Sequence, residues 1–450
     1  MSPAPGVLHV IHGHGGGTEH YARALVDASR TRYRHHLAIA IGDAWQVEEH
    51  ADDGSMRSFD VRRRPDEAWP DFFGGLCASF GIGLVHLHNI SGCRDGIFAA
   101  LAASDVPYGY TVHDLGFACP TLLFLGADGN YCFEQTDPDV CGACLRAQPP
   151  FAGVDIVDWR ARHRALLARA AFLIAPSRWA ATALKRYFPD LAVEVIPHGA
   201  PGVWARREVA AAGDETPRAG PRTLALPDDD VATIAVLGAV GPDKGARRLE
   251  RLAALVRTAG RRMRFVLIGY MDVQHGPWQS DDAVLTVHGR YDPHDLPDLL
   301  AHYRARLVAF PSAGPETFCF TLSEAWAAGL PVVVPPFGAL AERVAGSGAG
   351  WLWSEPEWRD EARMLARMGE LLAPGSAAAL AAAAERARAA PQPTLAAMAE
   401  RTLRLYAEAA RARAPEIAPA VAGMPATRLR RVLHRLTPAR LRSAVKARSR

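Results

Sequence analysis

The sequence predicts an α/β protein made of two doubly wound, Rossmann-like domains. Three observations lead there. Short apolar runs alternate with helical patterns through residues 7–196 and again from Val231 onward, as expected of parallel sheets covered on both faces. Between the two series, residues 205–230 are rich in Ala, Gly, Pro and charge and show no clear period, which marks a linker or mobile loop. The 450 residues are enough for two separate cores. The division that follows is a first domain over residues 1–200, a linker over 201–230, a second domain over 231–390, a returning helix over 391–413 and a tail over 414–450.

In the first domain, residues 7–12 make an opening strand. The loop Gly13-His14-Gly15-Gly16-Gly17 follows, and Thr18 is placed to cap a helix running on from Glu19. Glycines between a strand and a helix let backbone approach a ligand, although a simple tight turn accounts for them equally well. Further strands are expected at residues 36–41, 84–87, 108–112, 172–175 and 193–196. His88, His113-Asp114 and Pro176-Ser177-Arg178 fall at the carboxyl ends of these strands, where open parallel sheets bind ligands. One shared crevice is the simplest reading.

The second series places strands at residues 233–237, 265–268, 284–287 and 307–310, with helices at 246–258 and 295–303. Gly238-Ala239-Val240-Gly241-Pro242-Asp243-Lys244-Gly245 joins its first strand to its first helix. A lysine there can set a point charge against a diphosphate, and the alternative is a solvated surface lysine. Residues 310–338 then run strand end, Pro/Ser/Gly loop, short helix stopped by Gly329, and the β-branched run Val332-Val333-Val334. Glu316 lies ahead of that helix and Glu324 inside it. Helix-start amides suit a phosphate, and a carboxylate on either side can grip sugar hydroxyls. Taken alone, the two glutamates could equally be a cap and a solvated face.

Composition narrows the rest. With 49% hydrophobic and 22% charged residues the balance is that of an ordinary soluble chain. No signal-peptide pattern and no 18-residue apolar run is visible, so a cytoplasmic protein is expected. The net charge of +3 hides an asymmetry, because residues 425–450 carry nine Lys/Arg and no acids. Apolar Leu429, Val432, Leu433 and Leu436 sit among those cations at helical spacing, which suits an anionic membrane surface; a disordered, solubilising tail is the alternative. Nothing else points to nucleic acid. Of seven cysteines, Cys119, Cys132, Cys141 and Cys144 cluster in an insertion at about 115–150. Reduced cytosolic thiols in such a cluster suit a structural zinc, with buried free thiols as the competing reading.

Several segments together resemble a known family. Pro311-Ser312, Pro315-Glu316, Ser323-Glu324-Ala325 and Ala328-Gly329-Leu330-Pro331-Val332 closely resemble the E-x7-E signature of retaining, nucleotide-sugar-dependent family 4 glycosyltransferases. Gly15-Gly16-Gly17-Thr18-Glu19, Val112-His113-Asp114, Ile196-Pro197-His198-Gly199 and Lys244-Gly245 resemble further motifs of the same family, so the likeness runs from the first glycine loop to about residue 410. It implies the fold called GT-B, with two domains facing a central cleft. It also implies a catalytic set of Glu316, His113 and Lys244. A donor site is implied at Gly16, Gly17, Gly241, Lys244, Gly245, Glu316, Thr317, Phe318 and Glu324. The family generally retains anomeric configuration and needs no metal for catalysis. The implied partners are a nucleotide-sugar donor and a glycan or polyprenyl-linked glycan acceptor, as in cell-surface polysaccharide synthesis.

Two departures from the family pattern stand out. Ala239 occupies a place where the family often has arginine, leaving Arg247 or Arg343 as substitutes. Thr317-Phe318-Cys319 stands where glycines are common, which alters the donor-sugar pocket. A glycan phosphorylase would need a pyridoxal-phosphate lysine and a much longer chain. A non-catalytic sugar-nucleotide-binding or scaffold protein is the alternative that remains open.

Overall fold

The computed structural model describes residues 6–13, 15–92, 94–199, 223–271 and 274–412. The basic tail and most of the linker predicted from the sequence lie outside them.

The first domain runs β1 (Gly6–Ile11), α1 (Gly16–Ser29), β2 (Arg34–Ile41), β3 (Ala44–His50), β4 (Met56–Arg62), α2 (Trp69–Phe80), β5 (Ile82–Leu87), α3 (Arg94–Ala102), β6 (Tyr108–Thr111), α4 (Pro138–Arg146), α5 (Ile156–Ala168), β7 (Phe172–Ala175), α6 (Arg178–Tyr187) and β8 (Glu194–Val195). Its described strands form one sheet in the order β4-β3-β2-β1-β5-β6-β7-β8. β1 lies at its centre, parallel to β2 and β5. All six residues of β1 are buried, which is why that strand reads as a continuous apolar run. The antiparallel strands β3 and β4 extend the sheet and were not among the strands expected. Their larger apolar residues, Trp45 and Val47, then Phe59 and Val61, alternate with polar ones, so a search for continuous apolar runs passes over them.

The second domain continues β9 (Ala232–Val240), α7 (Ala246–Thr258), β10 (Met263–Met271), β11 (Trp278–Gln279), β12 (Leu285–Gly289), α8 (Leu296–His302), β13 (Ala305–Ala309), α9 (Phe320–Ala327), β14 (Val332–Val334), α10 (Gly338–Ser347), β15 (Gly350–Leu352), α11 (Glu355–Trp358), α12 (Glu361–Leu372) and α13 (Ala377–Ala389). Its described sheet has the order β11-β12-β10-β9-β13-β14-β15, and the short β11 is antiparallel to its neighbour. The last described helix, α14 (Leu395–Ala412), returns to the first domain. Its Met398, Leu403 and Tyr406 share one apolar cluster with Val7, Leu25 and Leu84. Among the described residues no helix is long and apolar enough to cross a membrane.

The two domains touch through the insertion between β6 and α5. The Tyr131 ring sits 4.5 Å from that of Phe337, and the Arg359 guanidinium lies 5.1 Å over Phe133. Aromatic and cation–π contacts of this kind bury apolar area and fix orientation together.

Candidate active site

The carboxyl ends of the two sheets face each other across a cleft of about 430 Å³. Gly16, Gly17, His20, His113 and His198 line it from the first domain, and Lys244, Tyr291, Glu316, Phe318 and Glu324 line it from the second.

Helix starts left open by their own side chains supply much of its character. α1 begins at Gly16 rather than after Thr18, its N-cap is Gly15, and no side chain caps it. Thr18 therefore does not serve as the expected cap. Gly15 and Gly16 both take positive φ, 72° and 79°, a turn that favours glycine. Across the cleft, α9 starts after Cys319 and also lacks a side-chain cap. First-turn amides without a side-chain cap, with the helix dipole behind them, favour an anion.

Beside the start of α9, Lys244 Nζ lies 3.7 Å from Glu316 Oε1, and the carboxylate raises the lysine pKa above its ordinary value. Glu324 is buried and accepts a 2.6 Å hydrogen bond from the Tyr291 hydroxyl. Burial raises its pKa, while that hydrogen bond opposes the shift. Thr317 ties the two halves together: its Oγ1 donates to the His113 carbonyl at 2.9 Å, and its own carbonyl accepts from Ser177 Oγ at 2.8 Å.

Sequence matches agree with this arrangement. Residues 16–199 match a glycosyl transferase 4-like domain, and residues 229–389 match glycosyl transferases group 1. The chain belongs to the group 1 glycosyltransferases. No curated protein matches it in sequence. Its fold is shared with sucrose-phosphate synthase from Thermosynechococcus elongatus, at 17% identity and a TM-score of 0.59 over 91% of this chain and 100% of that one. It is shared with Anabaena HepE in complex with UDP-glucose, at 16% and 0.55 over 89% and 99%. The pneumococcal O-GlcNAc transferase GtfA in complex with UDP and GlcNAc is similar at 11% and 0.53 over 90% and 99%. The architecture of this glycosyltransferase is GT-B.

Of the residues expected at the site, His113, Gly16, Gly17, Lys244, Glu316, Thr317, Phe318 and Glu324 all line the cleft of the glycosyltransferase. Gly241 and Gly245 are not among its lining residues. The Gly241 carbonyl instead accepts from the amides of Lys244 and Ala246, shaping the turn that presents the lysine. Gly245 has φ 88°, and a Cβ there would fall 2.0 Å from the Pro311 carbonyl oxygen. Close packing between two loops therefore requires glycine at 245.

Neither arginine replaces the charge missing at Ala239 of the glycosyltransferase. Arg247 is exposed and is not among the cleft-lining residues. Arg343 donates to the carbonyls of Phe318 at 3.0 Å and Cys319 at 2.8 Å and to Ser323 Oγ at 2.7 Å. Its guanidinium stacks 4.3 Å over the Phe318 ring, and burial pulls its pKa down to about 10. It braces the loop from beneath. That bracing explains how Cys319 holds φ 72°, a left-handed conformation that favours glycine.

The four cysteines expected to hold zinc, Cys119, Cys132, Cys141 and Cys144, all lie in the insertion between β6 and α5. Among the described residues, no cysteine belongs to a group of three metal-type donors within 4.8 Å of one another. The sulfurs have separate partners: Cys119 with Thr121 Oγ1 at 3.3 Å, Cys141 with Arg160 at 3.2 Å, and Cys144 with Gln148 Nε2 at 3.3 Å. Burial raises the pKa of Cys119, whereas Cys132 is exposed.

Sequence reasoning left several cleft residues unassigned. His198 is buried, its Nδ1 has no hydrogen-bond partner among the described residues, and its ring lies 5.0 Å from that of His113. The Pro-His-Gly motif was noticed without a role for its histidine. Tyr291 follows the end of β12, a position that strand counting alone could have singled out. His88 sits at a strand end as expected, yet it is fully buried behind His113 and does not line the cleft. His9, His86 and His88 do bring nitrogens within 4.8 Å of one another. Those nitrogens, however, are already hydrogen-bonded to other imidazoles or to the hydroxyls of Thr111 and Tyr406.

Proposed function

We propose that this glycosyltransferase takes a sugar from a nucleotide-sugar donor and passes it, with retained anomeric configuration, to a glycan or polyprenyl-linked glycan in cell-surface polysaccharide synthesis. The observation that carries this reading is the Lys244–Glu316 pair, 3.7 Å apart, at the uncapped start of α9 and within the cleft that His113 also lines. In the proposed reaction the bond from the anomeric carbon to the diphosphate oxygen breaks. The acceptor oxygen bonds to that carbon on the same face, and the acceptor hydroxyl proton passes to the departing phosphate oxygen. Lys244 and the first-turn amides of α9 stabilise the charge on the leaving group, so we propose that the reaction needs no metal. Glu316 and His113 orient the sugar, and Glu324 takes the ribose hydroxyls. The donor class is supported by HepE, a structure of the same fold holding UDP-glucose, and by GtfA, which holds UDP and GlcNAc.

Incubation with a panel of nucleotide sugars, with and without lipid-linked acceptors and with a chelator present, tests this. Acceptor-dependent nucleotide release in the presence of the chelator supports the reading. Binding of a nucleotide sugar with no turnover on any acceptor would instead make the chain a non-catalytic binding protein.

The nine Lys/Arg of residues 425–450 motivate a peripheral placement at an anionic inner-membrane surface. Salt-sensitive binding to anionic vesicles, lost on truncation at about residue 424, is expected. Absence of such binding at low ionic strength would remove the membrane from the proposal.

A further inference from the structure

Five side chains behind the cleft are joined end to end. Ser29 Oγ lies 2.9 Å from His35 Nε2, and His35 Nδ1 lies 2.9 Å from His9 Nε2. His9 Nδ1 lies 2.9 Å from His88 Nε2, and His88 Nδ1 lies 3.2 Å from His113 Nε2. Ser29, His35, His9 and His88 are each fully buried, and His113 lines the cleft.

The direction of this chain is fixed at its far end. Ser29 Oγ is 2.5 Å from the Leu25 carbonyl oxygen. A carbonyl has no hydrogen to give, so the serine hydroxyl donates there and is left only as an acceptor toward His35. His35 must therefore carry its hydrogen on Nε2. Burial lowers the pKa of every imidazole in the row, to about 4 at His35 and about 3 at His113, which keeps them neutral. A neutral imidazole has one donor and one acceptor nitrogen. An Nε2–H on His35 makes its Nδ1 an acceptor, which forces an Nε2–H on His9, and the same step repeats at His88 and His113. His86 does not compete for His88, because its two nitrogens are held by the Tyr406 and Thr111 hydroxyls at 2.6 and 2.7 Å.

We infer that Ser29, His35, His9 and His88 are positioning residues that lock His113 in the Nε2–H tautomer, leaving Nδ1 as its acceptor for a hydroxyl of donor or acceptor sugar. Among the described residues Nδ1 of His113 makes no hydrogen bond. The imidazole then meets substrate as an uncharged acceptor and not as a cation. The catalytic consequence rests on the proposed transfer reaction; the tautomer itself does not.

Long-range ¹H–¹⁵N correlation spectra of the full chain labelled with ¹⁵N-histidine, at pH 7.5, read the tautomer directly. His113 is expected as Nε2–H in the parent protein. Ser29→Ala removes the anchor while keeping every imidazole, and should give His113 mixed or Nδ1–H character. In turnover, Ser29→Ala and His88→Phe should lower kcat about tenfold or more with a smaller change in KM, because an outer partner that fixes a ring commonly counts for that much. His88→Gln, which offers both a donor and an acceptor, should recover part of the loss where His88→Phe does not. An Nδ1–H or doubly protonated His113 in the parent overturns the inference, as does an unchanged tautomer in Ser29→Ala. If no sugar is transferred at all, the function reading fails while the spectra still decide the tautomer.

Discussion

Thr317 of the second domain donates its hydroxyl hydrogen to the main-chain carbonyl of His113 in the first, at 2.9 Å. The residue following Glu316 is thereby tied to the residue that closes the cleft from the other side. Ser177 Oγ adds a second tie through the Thr317 carbonyl. Thr317→Val keeps the shape and removes one neutral hydrogen bond. It is expected to lower kcat/KM about fivefold, the effect of roughly 1 kcal/mol, with little change in thermal midpoint. Steady-state kinetics on the preferred donor checks this, and an unchanged kcat/KM would separate the tie from function.

Lys244→Ala and Glu316→Gln should each leave the fold intact, since the lysine side chain is 42% exposed, and lower turnover by about two to three orders of magnitude. Circular dichroism and thermal unfolding establish the fold, and single-turnover rates establish the loss. Two folded variants working at the parent rate would remove both residues from the chemistry.

Arg343→Met removes the donors that hold the Phe318 and Cys319 carbonyls. Hydrogen bonds from a charged group are each worth about 1.5–3 kcal/mol, and a change of 1 kcal/mol moves the midpoint of a domain this size by about 2–4 °C. A fall of several degrees is expected, together with a raised donor KM as the strained Cys319 relaxes. A lower midpoint with an unaltered KM would show that the brace serves stability alone.

How far the site could be read from sequence depended on how local each feature is. Glu316, Glu324 and Lys244 sit in short strand–loop–helix segments, where spacing alone places a side chain at a helix start. The histidine chain was not legible, because its links join residues 26, 79 and 25 positions apart. His9 and His35 look by themselves like core residues of apolar strands, and Ser29 closes a helix, so only His88 and His113, at strand ends, signal the site. Arg343 was one of two arginines named to replace the charge missing at Ala239, yet its fork matches two carbonyls of a loop 24 and 25 residues earlier, a pairing that no periodicity signals. For the cysteine cluster the converse holds: closeness in sequence alone does not set the distances between the sulfurs, and among the described residues no three metal-type donors including a cysteine lie within 4.8 Å.

The buried imidazoles also set an acid limit on stability. Their folded pKa values are lowered by burial, to about 4 at His35 and below the ordinary value at His9, His86 and His88. The unfolded chain therefore binds more protons below about pH 6.5. Stability from these groups is fully present above that pH and is lost as pH falls through it toward the folded values, each group contributing a slope of about 1.4 kcal/mol per pH unit. Thermal midpoints should drop steeply between pH 6.5 and 5. His35→Gln should reduce that slope by about one group's share. A flat profile from pH 7.5 to 5 would contradict the burial of neutral imidazoles.

The anomeric configuration of the first glycoside formed is the decisive observable for retaining transfer. With the nucleotide sugar that turns over fastest, proton NMR of the isolated glycoside product reads the anomeric coupling. The product should carry the same anomeric configuration as the donor, and that signal should be lost in Glu316→Gln. An inverted product, or retained product formed at the parent rate by Glu316→Gln, would contradict it.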